Sequence, residues 1–260
     1  MTIEPLHLLR LDLELPRLFS LCERQRLPAV DDLGYAIHAG LAAVFGEGAP
    51  SLFCAVEGRP GAPSRRGNER TLELLAYSAR SVAELREQAG VYADPEAFRL
   101  IDWDRAADKP MPTTWREGQR LGFQVRACPT VRLAKAGPNV RAGAEVDAFL
   151  AAARKDPDGP KPDREGVYRD WLIAGFERTD GARAQEVAVD RFTLQTLLRK
   201  TQGTDRRTTT RLRKPDVTFR GVLEVMEPVA FAELLRRGVG RHRAFGFGML
   251  LLRPHREAAC

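Results

Sequence analysis

Residues 236–251, Arg236-Arg237-Gly238-Val239-Gly240-Arg241-His242-Arg243-Ala244-Phe245-Gly246-Phe247-Gly248-Met249-Leu250-Leu251, constrain this chain more than any other stretch. Four glycines and four arginines lie between a helix-like segment (231–235) and a strand-like one (249–252). Glycine lets a backbone turn with positive φ and lets a ligand approach the main chain. Arginine supplies a permanently charged planar fork suited to phosphate. The chain must therefore close a domain through helix, turning loop and strand, with the loop facing an anion. A dinucleotide fingerprint needs G-x-G-x-x-G after a strand and opening a helix. Here the order is reversed and the spacing is G-x-G-x5-G-x-G. No Gly-Lys-Ser/Thr follows, so a Walker loop is excluded as well.

The upstream pattern supplies what this run closes. Leu9-Arg10-Leu11-Asp12-Leu13-Glu14-Leu15 alternates strictly and predicts a half-buried strand. A loop holding Pro16 and Pro28 follows. Asp31 or Asp32 then caps a helix to Phe45, with Leu33, Ile37, Leu41 and Val44 on one face. Strands are expected at 51–56 and 71–78, a short helix at 82–88 and a strand at 98–103. Residues 106–114, with Lys109-Pro110-Met111-Pro112, read as a linker. The second half opens on a strand ended by Pro129. Residues 140–164 are polar, with a short helix at 145–153. Then come a helix at 165–178, strands at 186–198 and 216–226, a helix after Pro228, and the last strand. Both halves spell β-α-β-β-α-β, the ferredoxin-like unit. The expected fold class is α+β, with tandem ferredoxin-like domains at 1–108 and 115–260.

Composition narrows the function classes. With 260 residues, 43% hydrophobic and 29% charged, the chain is long and apolar enough for a sizeable core. No apolar run approaches a membrane span, and the N-terminus lacks a signal-peptide pattern, so a cytoplasmic location is expected. Cys22, Cys54, Cys128 and Cys260 are scattered, as are His7, His38, His242 and His255. No metal, no cofactor and reduced thiols are the expectation. The net charge of +6 says little, but its placement says more. Arg199, Lys200, Arg206, Arg207, Arg211, Arg213 and Lys214 stand against Asp205 alone, an excess equal to that of the whole chain. Thr208-Thr209-Thr210 interleave, offering hydroxyl donors beside the guanidinium groups, as a nucleic-acid backbone requires.

Three motifs carry a resemblance to a known family. The glycine run resembles the glycine-rich loop of the RAMP proteins, the RNA-binding subunits of CRISPR systems. Its Gly-Val-Gly-x-x-Arg-Ala-Phe-Gly-Phe-Gly-Met-Leu form is similar to the CasE-type endoribonucleases that cut CRISPR repeat RNA. Arg243 stands where that family has Lys or Arg. Residues 118–129, ending Leu121-Gly122-Phe123-Gln124-Val125-Arg126-Ala127-Cys128-Pro129, are similar to the family's Leu-Arg-Ala-Asn-Pro strand, with Cys128 replacing Asn. Tyr35-Ala36-Ile37-His38-Ala39-Gly40-Leu41 is similar to its Tyr-x-x-His-x-x-Leu helix. Ala43 stands where some relatives carry a basic residue, and 58–70 and 140–164 look like insertions.

The resemblance implies a metal-independent endoribonuclease acting on CRISPR repeat stem-loops and retained in a type I-E Cascade complex with its other subunits. It implies Tyr35 and His38 as the catalytic pair. For RNA binding it implies Arg126, Arg199, Lys200, Arg206, Arg207, Arg211, Arg213, Gly238, Gly240, Arg241, His242, Arg243, Gly246 and Gly248. Physical chemistry asks for the same parts. Attack by a 2'-hydroxyl needs a base, an acid for the leaving oxygen, and donors for the phosphorane. Histidine exchanges protons near neutrality. On a helix, Tyr35 and His38 sit about 60° apart, an (i, i+3) pair able to reach one groove. His242, between two arginines, is the competing histidine. The alternative class is a RAMP scaffold subunit that grips RNA without cutting it.

Overall fold

A computed structural model describes residues 4–27, 32–56, 70–136, 141–202 and 207–255, with only the backbone described over 197–202 and 207–211. The chain divides into two compact units. The first comprises Met1–Thr113, Thr196–Leu212 and Arg243–Gly246; the second comprises Thr114–Gln195, Arg213–His242 and Phe247–Cys260.

In the first unit the alternating leucines form β1 (His7–Glu14), with Leu9, Leu11 and Leu13 fully buried. Each buried leucine contributes roughly 1.5–3 kcal/mol relative to an exposed one. Helices α1 (Leu15–Arg24) and α2 (Leu33–Phe45) follow, then β2 (Leu52–Ala55), β3 (Thr71–Ser78), α3 (Val82–Tyr92), the single turn α4 (Pro95–Phe98) and β4 (Ala107–Pro110). The sheet order is β2-β3-β1-β4, all antiparallel, with β1 and β3 paired from His7↔Ser78 to Glu14↔Thr71. This is the ferredoxin-like order. Ser81 and Glu84 form a reciprocal capping box on α3.

This unit departs from three local expectations. The loop expected after β1 is helix α1, because Pro16 sits in the first turn, where its missing N–H costs nothing. Leu18, Leu21 and Cys22, close together on one helical face, are its buried side. The strand expected at 98–103 is absent. Asp94 caps a helical turn there, and only Ile101 bridges to Leu13. The fourth strand instead lies within the stretch read as a linker, where β4 pairs with β1 from His7↔Pro110 to Arg10↔Ala107. All four β4 residues are exposed, so no apolar alternation marked them. Proline is tolerated because this is an edge strand.

The second unit repeats the plan. It holds β5 (Arg120–Ala127), β6 (Thr130–Arg132), β7 (Glu145–Asp147), α5 (Ala148–Ala153) and α6 (Arg164–Glu177). It continues with β8 (Ala182–Gln202), β9 (Arg207–Val225), α7 (Pro228–Arg237) and β10 (Leu250–Pro254). The sheet order β10-β5-β9-β8 is again ferredoxin-like. Leu121, Phe123, Val125 and Ala127 on β5 face the same core as Val217, Phe219, Leu223 and Val225 on β9. Strands β8 and β9 run further than expected, through much of the basic segment. β6 and β7 pair in a separate two-stranded ladder, an excursion between β5 and α6. Among the described residues no helix is long and apolar enough to cross a membrane.

Candidate functional site

In the first unit the site begins at the start of α2. Asp32, fully buried, caps the helix by accepting a hydrogen bond from the Tyr35 backbone N–H at 3.0 Å. Tyr35 and His38 follow, both half-buried. The unit draws in a distant piece of chain, the short 3-10 turn Arg243–Phe245 of the glycine run. The Phe245 ring stacks on Tyr35 with centroids 6.1 Å apart and planes inclined by 15°. It also meets the His38 ring at 6.2 Å and 50°. Gly34 makes this approach possible, since a Cβ there would lie 2.3 Å from the Phe245 carbonyl oxygen. Arg243, on the same turn, is exposed.

His38 lies at the edge of the buried face of α2. Among the described residues its imidazole has no hydrogen-bond or ion-pair partner, and the contact it does make is to the Phe245 ring. The ring is half-buried against this aromatic wall.

The second unit treats its cations differently. Arg126 grips Asp216 with two bonds, Nε to Oδ1 at 2.9 Å and Nη2 to Oδ2 at 2.8 Å, and also donates to Gln195 Oε1 at 2.8 Å. Its guanidinium carbon lies 4.7 Å from the Phe247 ring centroid. Lys214, counted in the basic run, is buried and donates to Glu145 Oε1 at 2.8 Å. His242 Nε2 lies 2.6 Å from that same oxygen, and Arg241 Nη1 lies 3.7 Å from Oε2. Burial would raise the Glu145 carboxyl, but hydrogen bonds from His242 and Lys214 and their charges outweigh it and hold it well below the usual carboxylate range. Cys128 is buried, and burial pushes its thiol up to about 12.

The glycine run turns repeatedly, with positive φ at Gly238, Gly240, His242, Gly246 and Gly248. Arg241 and Arg213 are exposed. The side chains of Arg199, Lys200, Arg206, Arg207 and Arg211 lie outside the described residues. Sequence reading did not single out Gly34, Glu145, Asp216 or Gln195. Asp216 carried a weak signal, as an acid two residues past the end of a basic run. The other three carried none. Among the described residues no group of three or more His, Cys, Asp or Glu side chains could hold a metal ion.

Two ferredoxin-like units in tandem, the second closed by a glycine loop, define the class of protein. Within it, the family described as CRISPR associated protein matches residues 6–254, and the chain belongs to that family. The CRISPR-associated endoribonuclease Cse3 of Thermus thermophilus is 31% identical over 146 residues, 56% of this chain. That alignment spans 61% of the relative, less than two thirds of its length. The fold is shared with a solved CRISPR endoribonuclease Cse3 bound to a 19-nucleotide RNA, at TM-score 0.62 and 23% identity over 96% of this chain and all of that one. It is shared too with Cas6e of Escherichia coli, at TM-score 0.53 and 18% identity over 96% of this chain and all of that one.

Proposed function

We propose that this chain is an endoribonuclease that cuts CRISPR repeat stem-loops and keeps the product as a subunit of a Cascade-like complex. The carrying observation is the His38 imidazole, half-buried beside Tyr35 and Phe245 with no protein partner among the described residues. The Cse3 relatives add weight, being endoribonucleases by name, one of them bound to RNA. Family membership points the same way.

The chemistry follows from the groups. The RNA 2'-hydroxyl loses its proton and its oxygen attacks the adjacent phosphorus. The bond from phosphorus to the 5'-oxygen then breaks, and that oxygen takes up a proton. The products are a 2',3'-cyclic phosphate and a 5'-hydroxyl, and no metal is required. His38 handles one of the two proton transfers. Tyr35 orients the reacting phosphate or supplies the second proton. Arg243, on the turn that carries Phe245, offers its guanidinium to the phosphorane oxygens.

RNA is held by the basic hairpin through Arg199, Lys200, Arg206, Arg207, Arg211 and Arg213. The glycine run adds Gly238, Gly240, Arg241, His242, Arg243, Gly246 and Gly248. A-form stems hide base edges in a deep, narrow groove, so these contacts read phosphates and shape. Arg126 holds Asp216 and Gln195 in place, and we assign it to the frame of the second unit.

The test is incubation with a repeat hairpin RNA in EDTA, followed by a denaturing gel. Cleavage should persist, stop when the nucleotide at the cut lacks its 2'-hydroxyl, and leave a cyclic phosphate upstream. Tight binding with no cleavage under any ionic condition would leave a scaffold subunit instead.

A further inference from the structure

We propose that Glu145 is a positioning residue for the glycine loop, its carboxylate fixing Arg241 and His242 in the conformation that presents the loop to RNA. This rests on reading the loop as an RNA-gripping element.

Glu145 opens β7, in the stretch 140–164 that has no place in the ferredoxin-like plan. One oxygen of its carboxylate takes both the His242 ring at 2.6 Å and the Lys214 ammonium at 2.8 Å. Lys214 also donates to the Glu145 backbone carbonyl at 3.2 Å, which pins the backbone as well as the side chain. His242 holds φ +61° without being glycine. Such a conformation persists only where the surroundings over-determine it. The grip on its ring supplies that constraint.

A second strut, Trp171 on α6, is tied to the same excursion. A Cβ at Gly240, where φ is +77°, would lie 2.7 Å from the Trp171 ring. That ring is fixed by its Nε1 donating to the Thr130 carbonyl at 3.0 Å. Thr130 begins β6, which pairs with β7 from Thr130↔Asp147 to Arg132↔Glu145. The two ends of the loop are tied to each other by Val239 N–H to the Gly248 carbonyl at 2.8 Å, and Gly248 N–H donates to the Arg126 carbonyl at 2.6 Å. The β6–β7 ladder is therefore a brace for the loop's first half. Held low in its titration and engaged by cations on β9 and the loop, Glu145 is a fixed anion.

The variant Glu145→Gln keeps the shape and removes the charge. Hydrogen exchange at amides 238–242 should speed up by about ten-fold in the free protein, as local opening becomes easier. Affinity for a repeat hairpin with a 2'-deoxy nucleotide at the cut should fall by about ten-fold, while the single-turnover rate at saturating protein stays within about two-fold. Because that substitution leaves Lys214 buried without its counter-charge, the double variant Glu145→Gln/Lys214→Met is measured beside it and should show the same exchange. Unchanged exchange in both variants overturns the proposal, whatever the RNA data show. Faster exchange with unchanged affinity also overturns it, as does a lost saturating rate with affinity intact. If the wild-type protein does not bind hairpin RNA, the functional reading fails, and the exchange result alone decides the brace.

Discussion

The two units use polar side chains in opposite ways. Around Tyr35 and His38 the first unit supplies an aromatic wall and, among the described residues, leaves the imidazole without a protein partner. Around Arg126 and Glu145 the second unit closes charge onto charge, in a bidentate pair and a carboxylate shared by Lys214, Arg241 and the His242 imidazole. On the function proposed above, the first arrangement leaves an imidazole available to a substrate and the second fixes the geometry of a loop.

The comparison is broken most directly at His38. His38→Ala should lower the cleavage rate by about 10² to 10⁴-fold, the usual range for a lost proton-transfer group, with affinity for uncleaved hairpin RNA within a few-fold. A wild-type rate in that variant, together with a dead His242→Ala, would move the chemistry into the glycine loop. Arg126→Met should cost about 3 kcal/mol of stability, because Asp216 is left buried without its partner. Urea unfolding measures this, and a loss below about 0.5 kcal/mol would mean the pair is not part of the frame.

Gly34→Ala forces a methyl toward a backbone oxygen that cannot swing away. Cleavage should drop by about 10- to 100-fold through displaced Phe245, with little change in hairpin affinity. An unaffected rate would show that Phe245 need not sit against α2. Tyr35→Phe keeps the ring that stacks on Phe245 and removes one hydroxyl, so its rate loss should be smaller than that of His38→Ala. Equal losses would give the hydroxyl an essential proton-transfer role.

The smallest effect concerns acid. The folded-state pKa of Glu145 is depressed, so its stabilising contribution is fully present above the ordinary carboxylate value of 4.5 and is lost as pH falls through and below it. The stability gap between wild type and Glu145→Gln, read from urea midpoints, should be largest near neutral pH and shrink as the solution is acidified below that ordinary value. A gap constant over that range would show that the charge of Glu145 contributes nothing to folding.

Much of this molecule is local in origin. Alternation wrote β1 and β5, apolar spacing with Asp32 wrote α2, and glycine spacing wrote the turning run before β10. These are short-range consequences of side-chain periodicity and backbone sterics, and one sequence carries them in full. Even the errors were local. Pro16 was placed in a loop when it opens a helix, and exposed β4 carried no pattern because an edge strand buries little. The Tyr35–His38 spacing was legible for the same reason, since both lie on one helix.

What only the tertiary structure decided is which distant groups meet. No periodicity says that Phe245 comes back onto α2, that Gly34 must be bare for it, or that Arg126 is taken by Asp216 and Lys214 by Glu145. Those pairings depend on how strands and loops fold over one another, because a charge or a ring has no register of its own. The sequence by itself determined where the polar and glycine residues stand along the chain. Packing then determined which of them found partners and, among the described residues, left the His38 imidazole without one.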